Sequence, residues 1–190
     1  MNPGEKSCAW CEGNPLYQSY HDEEWGVPLY DEQKLFEFLI LETFQSGLSW
    51  ITILKKRENF RQAFDQFDFN KISAYDQTKV DQLLSDEGIV RNRLKILATI
   101  NNAKCFLELR KTEKSFSNFI WKYVNHQPIQ NNFKHPNDIP SKTKLAEQIS
   151  KDLKKKGFKF IGPTVIYAHM QATGMVNDHL VTCFRHKELL

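Results

Sequence analysis

Gly157 to Cys183 reads GFKFIGPTVIYAHMQATGMVNDHLVTC, and the interpretation of this stretch decides the fold. A lysine-rich helical pattern, Lys151 to Lys156, runs into a turn bounded by Gly157 and Gly162. Pro163 follows, and proline suits the first turn of a helix because the N–H it lacks would be unbonded there anyway. The order is therefore helix, tight hairpin, helix. Gly162 lets the backbone approach a ligand closely, and the next helix turns free N–H groups and the positive end of its dipole outward, which suits a phosphate. Lys154, Lys155, Lys156 and Lys159 add sequence-independent attraction to a nucleic-acid backbone. An ordinary helical hairpin with solvated lysines fits the same pattern. Farther along, His179 and Cys183 stand four apart, so on a helix they would share a face and close on one ion.

A chain of 190 residues is long enough for one sizeable core. One globule over 1–190, or two tightly joined helical lobes within it, is expected. The formal net charge of +3 is compatible with a nucleic-acid partner and too small to demand one. No apolar run is long enough to span a bilayer, and MNPGEKSCAWCEGN lacks the hydrophobic segment of a signal peptide. A cytoplasmic location is expected, with no membrane partner. In a reducing compartment Cys8, Cys11, Cys105 and Cys183 are expected as thiols or metal ligands rather than disulfides.

From Met1 to Tyr30 the chain reads as loops with at most one short helical turn. So polar and aromatic a segment needs an anchor. Cys8, Cys11 and His21 would supply one by joining His179 and Cys183 around a metal, although five candidates exceed the four ligands of a closed zinc site. Unrelated buried thiols with a surface histidine fit the spacing equally well, and Cys8 with Cys11 alone would resemble a zinc-knuckle half or a redox pair.

Asp31 is the expected N-cap of a helix to about Gln45, ended by Ser46-Gly47. Glu42 lies inside the apolar run FLILETFQSGLSWITIL, where it is either a candidate acid, base or base-edge acceptor or a helix-end glutamate that reaches water. A second amphipathic pattern runs from Leu48 to about Phe64, with Trp50 at its start. A leucine at a loop tip beside a tryptophan suggests a wedge and a stacking surface, or simply core. Further helices are predicted at about Lys71 to Tyr75, Thr78 to Ser85, Arg91 to Leu109, Phe116 to Val124 and Thr143 to Lys156. Arg91, Arg93 and Lys95 would either flank a phosphate path or be solvated. His126 to Pro140 reads as a long connection, and no alternating strand stands out.

The segments YHDEEWGVP, LETFQSGLSWITILKKRENFRQAF and KKKGFKFIGPTVIYAHMQATGMVNDH, with VNHQP at Val124 to Pro128, resemble the type I 3-methyladenine DNA glycosylases over nearly the whole chain. The resemblance implies an all-α, helix-hairpin-helix DNA glycosylase fold that removes 3-methyladenine from alkylated double-stranded DNA. It also implies one structural zinc per chain, clasping the N-terminal to the C-terminal region. By that likeness the ligands are Cys8, from its Cys-x-Trp context, with His21, His179 and Cys183, and Cys11 is a spare thiol. Glu42 would meet the base edge as a carboxylate, with Tyr20 and Trp50 stacking on the base and Trp10 and Trp25 forming walls. Leu48, next to Gly47, would enter the gap left by the extruded nucleotide. Gly157, Lys159, Gly162 and Thr164 would grip the DNA.

Two departures bear on mechanism. Where many glycosylases of the wider superfamily carry an aspartate, this chain has Asn177, and Phe160 stands in the earlier position of the usual hairpin glycine pair. A monofunctional hydrolase acting as a monomer is expected, since no motif places a lysine as a Schiff-base nucleophile. A non-enzymatic, zinc-stabilised helical DNA-binding module, or a zinc hydrolase of small molecules, would be the competing interpretations.

Overall fold

Asn14 starts the first α-helix. Its side chain accepts a hydrogen bond from the Tyr17 amide and Pro15 occupies the first turn, so α1 runs Pro15–Glu23. The computed structural model describes residues 7–190. The opening of the stretch searched for a signal peptide, residues 1–6, lies outside the described residues. After α1 come α2 (Glu32–Gln45), α3 (Trp50–Ala63), α4 (Phe69–Ser73), α5 (Gln77–Ser85) and the long α6 (Arg93–Glu113). Next are α7 (Phe116–Trp121), α8 (Lys144–Lys155), α9 (Pro163–Ala172) and the short α10 (Phe184–Glu188). Helix starts follow from capping: Asp31, Asp76, Asn92, Ser115 and Thr143 each accept from the amide three residues on. Such a cap contributes about 1 kcal/mol.

The apolar run recognised around Glu42 becomes the central helix. Every residue of α2 from Leu35 to Phe44 is buried, Glu37, Glu42 and Thr43 included. α2 packs against α3 and α9, α9 packs against α8, and α4 lies on α6. A chain of phenylalanines links these layers: Phe36 to Phe106 at 5.1 Å between ring centroids, and Phe106 to Phe116 at 4.7 Å. Burying a side chain of this size is worth about 1.5–3 kcal/mol, so the core around α2 is a major stabilising block. Among the described residues no helix is long and apolar enough to cross a membrane.

The predicted elements need four corrections. Besides a short helical turn at Ala9–Cys11, the first segment holds a nine-residue helix, α1, where loops with at most one short helical turn were expected, because its buried face is built from tyrosine and histidine instead of an aliphatic stripe. A two-residue parallel ladder pairs Ile129 with Val176 and Gln130 with Asn177, too short to show as alternation. His179 and Cys183 are not on a helix. They flank a turn closed by the Cys183 amide donating to the Leu180 carbonyl at 2.7 Å, with α10 beginning only after Cys183. Lys95 neither lines a phosphate path nor faces solvent: it is 7 % exposed, with its amine on the carbonyls of Phe44 and Ser46.

Candidate active site

α1, α2 and α3 bring Tyr20, Glu42 and Trp50 to a common cavity. The Tyr20 and Trp50 rings lie 5.4 Å apart, and Trp10, from the turn before α1, packs edge-on to Trp25 at 5.2 Å. Together these five line a cavity of about 120 Å³. All five pocket residues named from the sequence therefore meet in one place. The same cavity is also lined by Tyr17, Gln45, Ala168 and Gln171, which the sequence reading missed. Tyr17 and Gln45 were within reach of it, since each stands three residues along a helix from Tyr20 or Glu42 and so shares its face. Ala168 and Gln171 lie on α9, and only the packing of α9 on α2 reveals them.

The three helices are tied together on the far side of α2 by a charged network. Arg57 on α3 donates to Glu37 on α2 at 2.6 Å and to both carboxylate oxygens of Glu24, just past α1, at 2.9 and 2.7 Å. Arg61 donates to the same Glu37 oxygen at 3.1 and 2.9 Å. The Arg57 guanidinium also lies over the Phe38 ring, 4.9 Å from its centre. None of Glu24, Glu37, Arg57 and Arg61 lines the cavity, and removing a partner from the buried part of this network leaves charge less well compensated.

Glu42 is 4 % exposed. Its Oε2 and the Trp50 Nε1–H are both buried without a hydrogen-bond partner. Burial in this apolar setting pushes the Glu42 carboxyl up to about 8. With no protein cation beside it in the cavity, the protonated form is favoured at neutral pH; a carboxylate facing the base requires the positive charge that the base itself would bring. A second cavity of about 240 Å³ shares Glu42, Gln45 and Ala168 with the first and is lined further by Gly47, Leu48 and Thr164. Leu48 is 42 % exposed. The residues singled out for DNA contact at the loop and at the start of α9 thus adjoin the aromatic cup.

Gly157, Lys159 and Gly162 lie in the turn between α8 and α9, which is pinned from inside. Ser150 donates to the Ile161 carbonyl at 2.7 Å, and Asn102 on α6 accepts from the Lys159 amide at 2.8 Å while donating to its carbonyl at 2.9 Å. Phe160 adopts φ +57°, a left-handed conformation that costs a non-glycine residue about 1–2 kcal/mol. This explains why a glycine is usual there. Asn177 is fully occupied structurally: it donates to Gln130 and to the His186 carbonyl, and accepts from the His179 amide.

Cys8, His21, His179 and Cys183 present ligand atoms that all lie within 4.8 Å of one another, and all four are buried. The His21 Nε2 to His179 Nδ1 distance is 3.1 Å, and Cys183 Sγ stands 3.5 and 3.6 Å from them. Cys8 Sγ is 3.8 Å from His179 Nδ1. Bonds of about 2.0–2.3 Å in a tetrahedron imply edges of about 3.3–3.8 Å, so the set fits one metal ion. The outer nitrogens are fixed as well: His21 Nδ1 donates to Asp22 at 2.6 Å and His179 Nε2 to the Trp25 carbonyl at 3.0 Å. The thiol of Cys11 turns away and donates to the Cys8 carbonyl at 3.0 Å, which leaves it out of the group.

Known proteins resemble this chain over most of its length. A family model described as methyladenine glycosylase matches residues 10–186. The chain is 49 % identical over 176 residues to DNA-3-methyladenine glycosylase 1 of Escherichia coli K12, covering 93 % of this chain and 94 % of that one. A crystal structure of 3-methyladenine DNA glycosylase I superposes with a TM-score of 0.92 at 47 % identity, over 94 % of this chain and 98 % of the other. A variant of 3-methyladenine DNA glycosylase I in complex with 3-methyladenine superposes at 0.91, with 39 % identity over 94 % of this chain and 96 % of the other. Together with the helical hairpin and the aromatic cup, these matches show that the chain belongs to the methyladenine glycosylase family.

Proposed function

We propose that this protein hydrolyses the N-glycosidic bond of 3-methyladenine in alkylated double-stranded DNA, as a monofunctional glycosylase that leaves an abasic site. The observation that carries the proposal is Glu42, a buried acid with an unpartnered oxygen inside a cup of tyrosine and tryptophan. Such a cup is suited to a flat, positively charged ring. Methylation at N3 makes the base in DNA a cation, and each aromatic face contributes about 0.5–2 kcal/mol toward holding it. As the cation enters, Glu42 releases its proton to solvent and becomes the acceptor for the exocyclic amine. A normal base brings no charge, so Glu42 stays protonated and the pocket gains nothing electrostatic.

Taking the nucleotide out of the stack costs about a few kcal/mol. The hairpin at Gly157 to Gly162 would hold a phosphate while Leu48 fills the gap, and together they offset that cost. A base that already carries positive charge leaves the sugar without a proton from the enzyme. Strong acid catalysis is therefore unnecessary, which accords with Asn177 serving structure alone.

The four-residue group would hold one zinc, and two thiolates with two imidazoles are a donor set that suits it. When bound, the ion supplies a cross-link between the turn carrying Trp10 and the C-terminal region. Four protein ligands leave no position for a reacting water, so the role is structural. The deciding experiment is incubation with methylated duplex DNA and identification of the released base. Release of 3-methyladenine, with no covalent adduct trapped by borohydride, is expected. DNA binding without base release would leave a non-enzymatic module, and a trapped adduct would refute the monofunctional mechanism.

A further inference from the structure

Helix α6 contributes no residue to either cavity, yet two of its buried side chains reach the two segments that face DNA under the proposed function. Lys95 donates to the Phe44 carbonyl at 2.9 Å and to the Ser46 carbonyl at 2.7 Å. These oxygens close α2 immediately before Gly47 and Leu48. The end of α2 would otherwise present open carbonyls and the negative pole of its dipole toward a polyanion. The ammonium of Lys95 cancels that pole and fixes the point from which the loop turns, at φ +87° for Gly47.

Asn102 does the equivalent at the hairpin. It is fully buried and brackets the Lys159 peptide through both its oxygen and its nitrogen, while its neighbour Asn101 donates to the Gly157 carbonyl at 2.8 Å. Lys95 and Asn102 lie on one unbroken helix, seven residues apart. At the α-helical rise that is a separation of about 10 Å along a stiff rod.

We propose that Lys95 and Asn102 are positioning residues, and that α6 is the spacer that sets the wedge loop at Gly47 and Leu48 relative to the phosphate-gripping hairpin. Anchoring and extrusion then act on the same nucleotide. This rests on the glycosylase function and adds to it a division of labour: α6 governs what is done to the duplex, while α1 to α3 govern the base itself.

The test uses the intact, zinc-loaded protein with three readouts: excision from methylated duplex, affinity for undamaged duplex, and affinity for free 3-methyladenine followed by tryptophan fluorescence. Lys95→Met is expected to slow duplex excision at saturating enzyme by about 10- to 100-fold, the scale of an ångström-sized misplacement, with free-base affinity unchanged. Lys95→Arg, which keeps charge and donors, should recover most of the rate. Asn102→Asp, which keeps only the acceptor, should weaken duplex affinity more than it slows excision at saturation. Matched losses of free-base affinity and duplex excision would overturn the proposal, as would unchanged duplex excision in folded variants. If Lys95→Met does not fold, Lys95→Gln takes its place, with the same result expected and the same results overturning the proposal. Wild-type protein that releases no base would instead refute the glycosylase function, and duplex affinity would still test the role of Asn102.

Discussion

The Glu42→Gln variant is expected to be more stable than the parent protein at neutral pH while losing most of its ability to recognise the base. The magnitude follows from one titration. The carboxyl ionises near 4.5 in the unfolded chain and at about 8 in the folded one, because burial with no partner disfavours its charge. Below 4.5 both states hold the proton and the site contributes no pH dependence. Between the two values the unfolded chain has released a proton that the folded chain retains, so the parent loses stability as pH rises, by about 1.4 kcal/mol per unit. From 4.5 to pH 7 this accumulates to about 3 kcal/mol, and the loss levels off once the folded group also ionises. Glutamine does not titrate. Urea unfolding of both proteins between pH 4 and 9 should therefore give stability curves that diverge through the acid range, with the variant on top, and run parallel above about 8. Curves that stay parallel throughout would refute the reasoning, since they would mean that Glu42 keeps an ordinary carboxyl pKa in the folded state. Base excision by the variant should fall sharply under the same conditions. An unchanged excision rate would remove Glu42 from the site.

Metal analysis of protein purified without chelator should find one zinc per chain, and Cys183→Ala should abolish its binding and lower the melting temperature; retained zinc would refute the ligand assignment. Arg57→Met leaves Glu37 with Arg61 as its one remaining guanidinium partner and Glu24, which is 42 % exposed, with none, and should destabilise by about 2–3 kcal/mol in denaturant unfolding. A loss under about 1 kcal/mol would show that the network is a solvated surface pair. Gly174 has φ +69°, and a Cβ there would lie 2.4 Å from the backbone of Val27 and Pro28. Gly174→Ala should therefore cost at least about 3 kcal/mol or prevent folding, and a variant that melts with the parent would contradict the close approach of these two segments.

Much of this protein was legible along the chain because its decisive signals are local. Asp31 with the apolar run that follows marks the central helix, and the glycine-bounded turn ahead of Pro163 marks the hairpin. The family-specific context around Cys8 picked the same thiol that the fold brings to His21, His179 and Cys183. What stayed hidden depends on groups far apart in sequence. α1 was missed because the face it buries is aromatic and imidazole, a composition whose sense appears only when a cavity and the side chains of Cys8, His179 and Cys183 close around it. Lys95 and Asn102 look like ordinary surface polar residues, and only the packing of α6 under two loops more than forty positions away buries them.

Glu42 shows the division most clearly. Its presence in an apolar helix was read directly from the sequence, which specifies residue type and helical face through short-range periodicity. Its protonation state was decided by the tertiary structure, because an ionisation constant depends on what surrounds the group in space: Tyr20, Trp50 and Trp10 converge on it with no counter-charge, and that convergence exists only once α1, α2 and α3 are packed together.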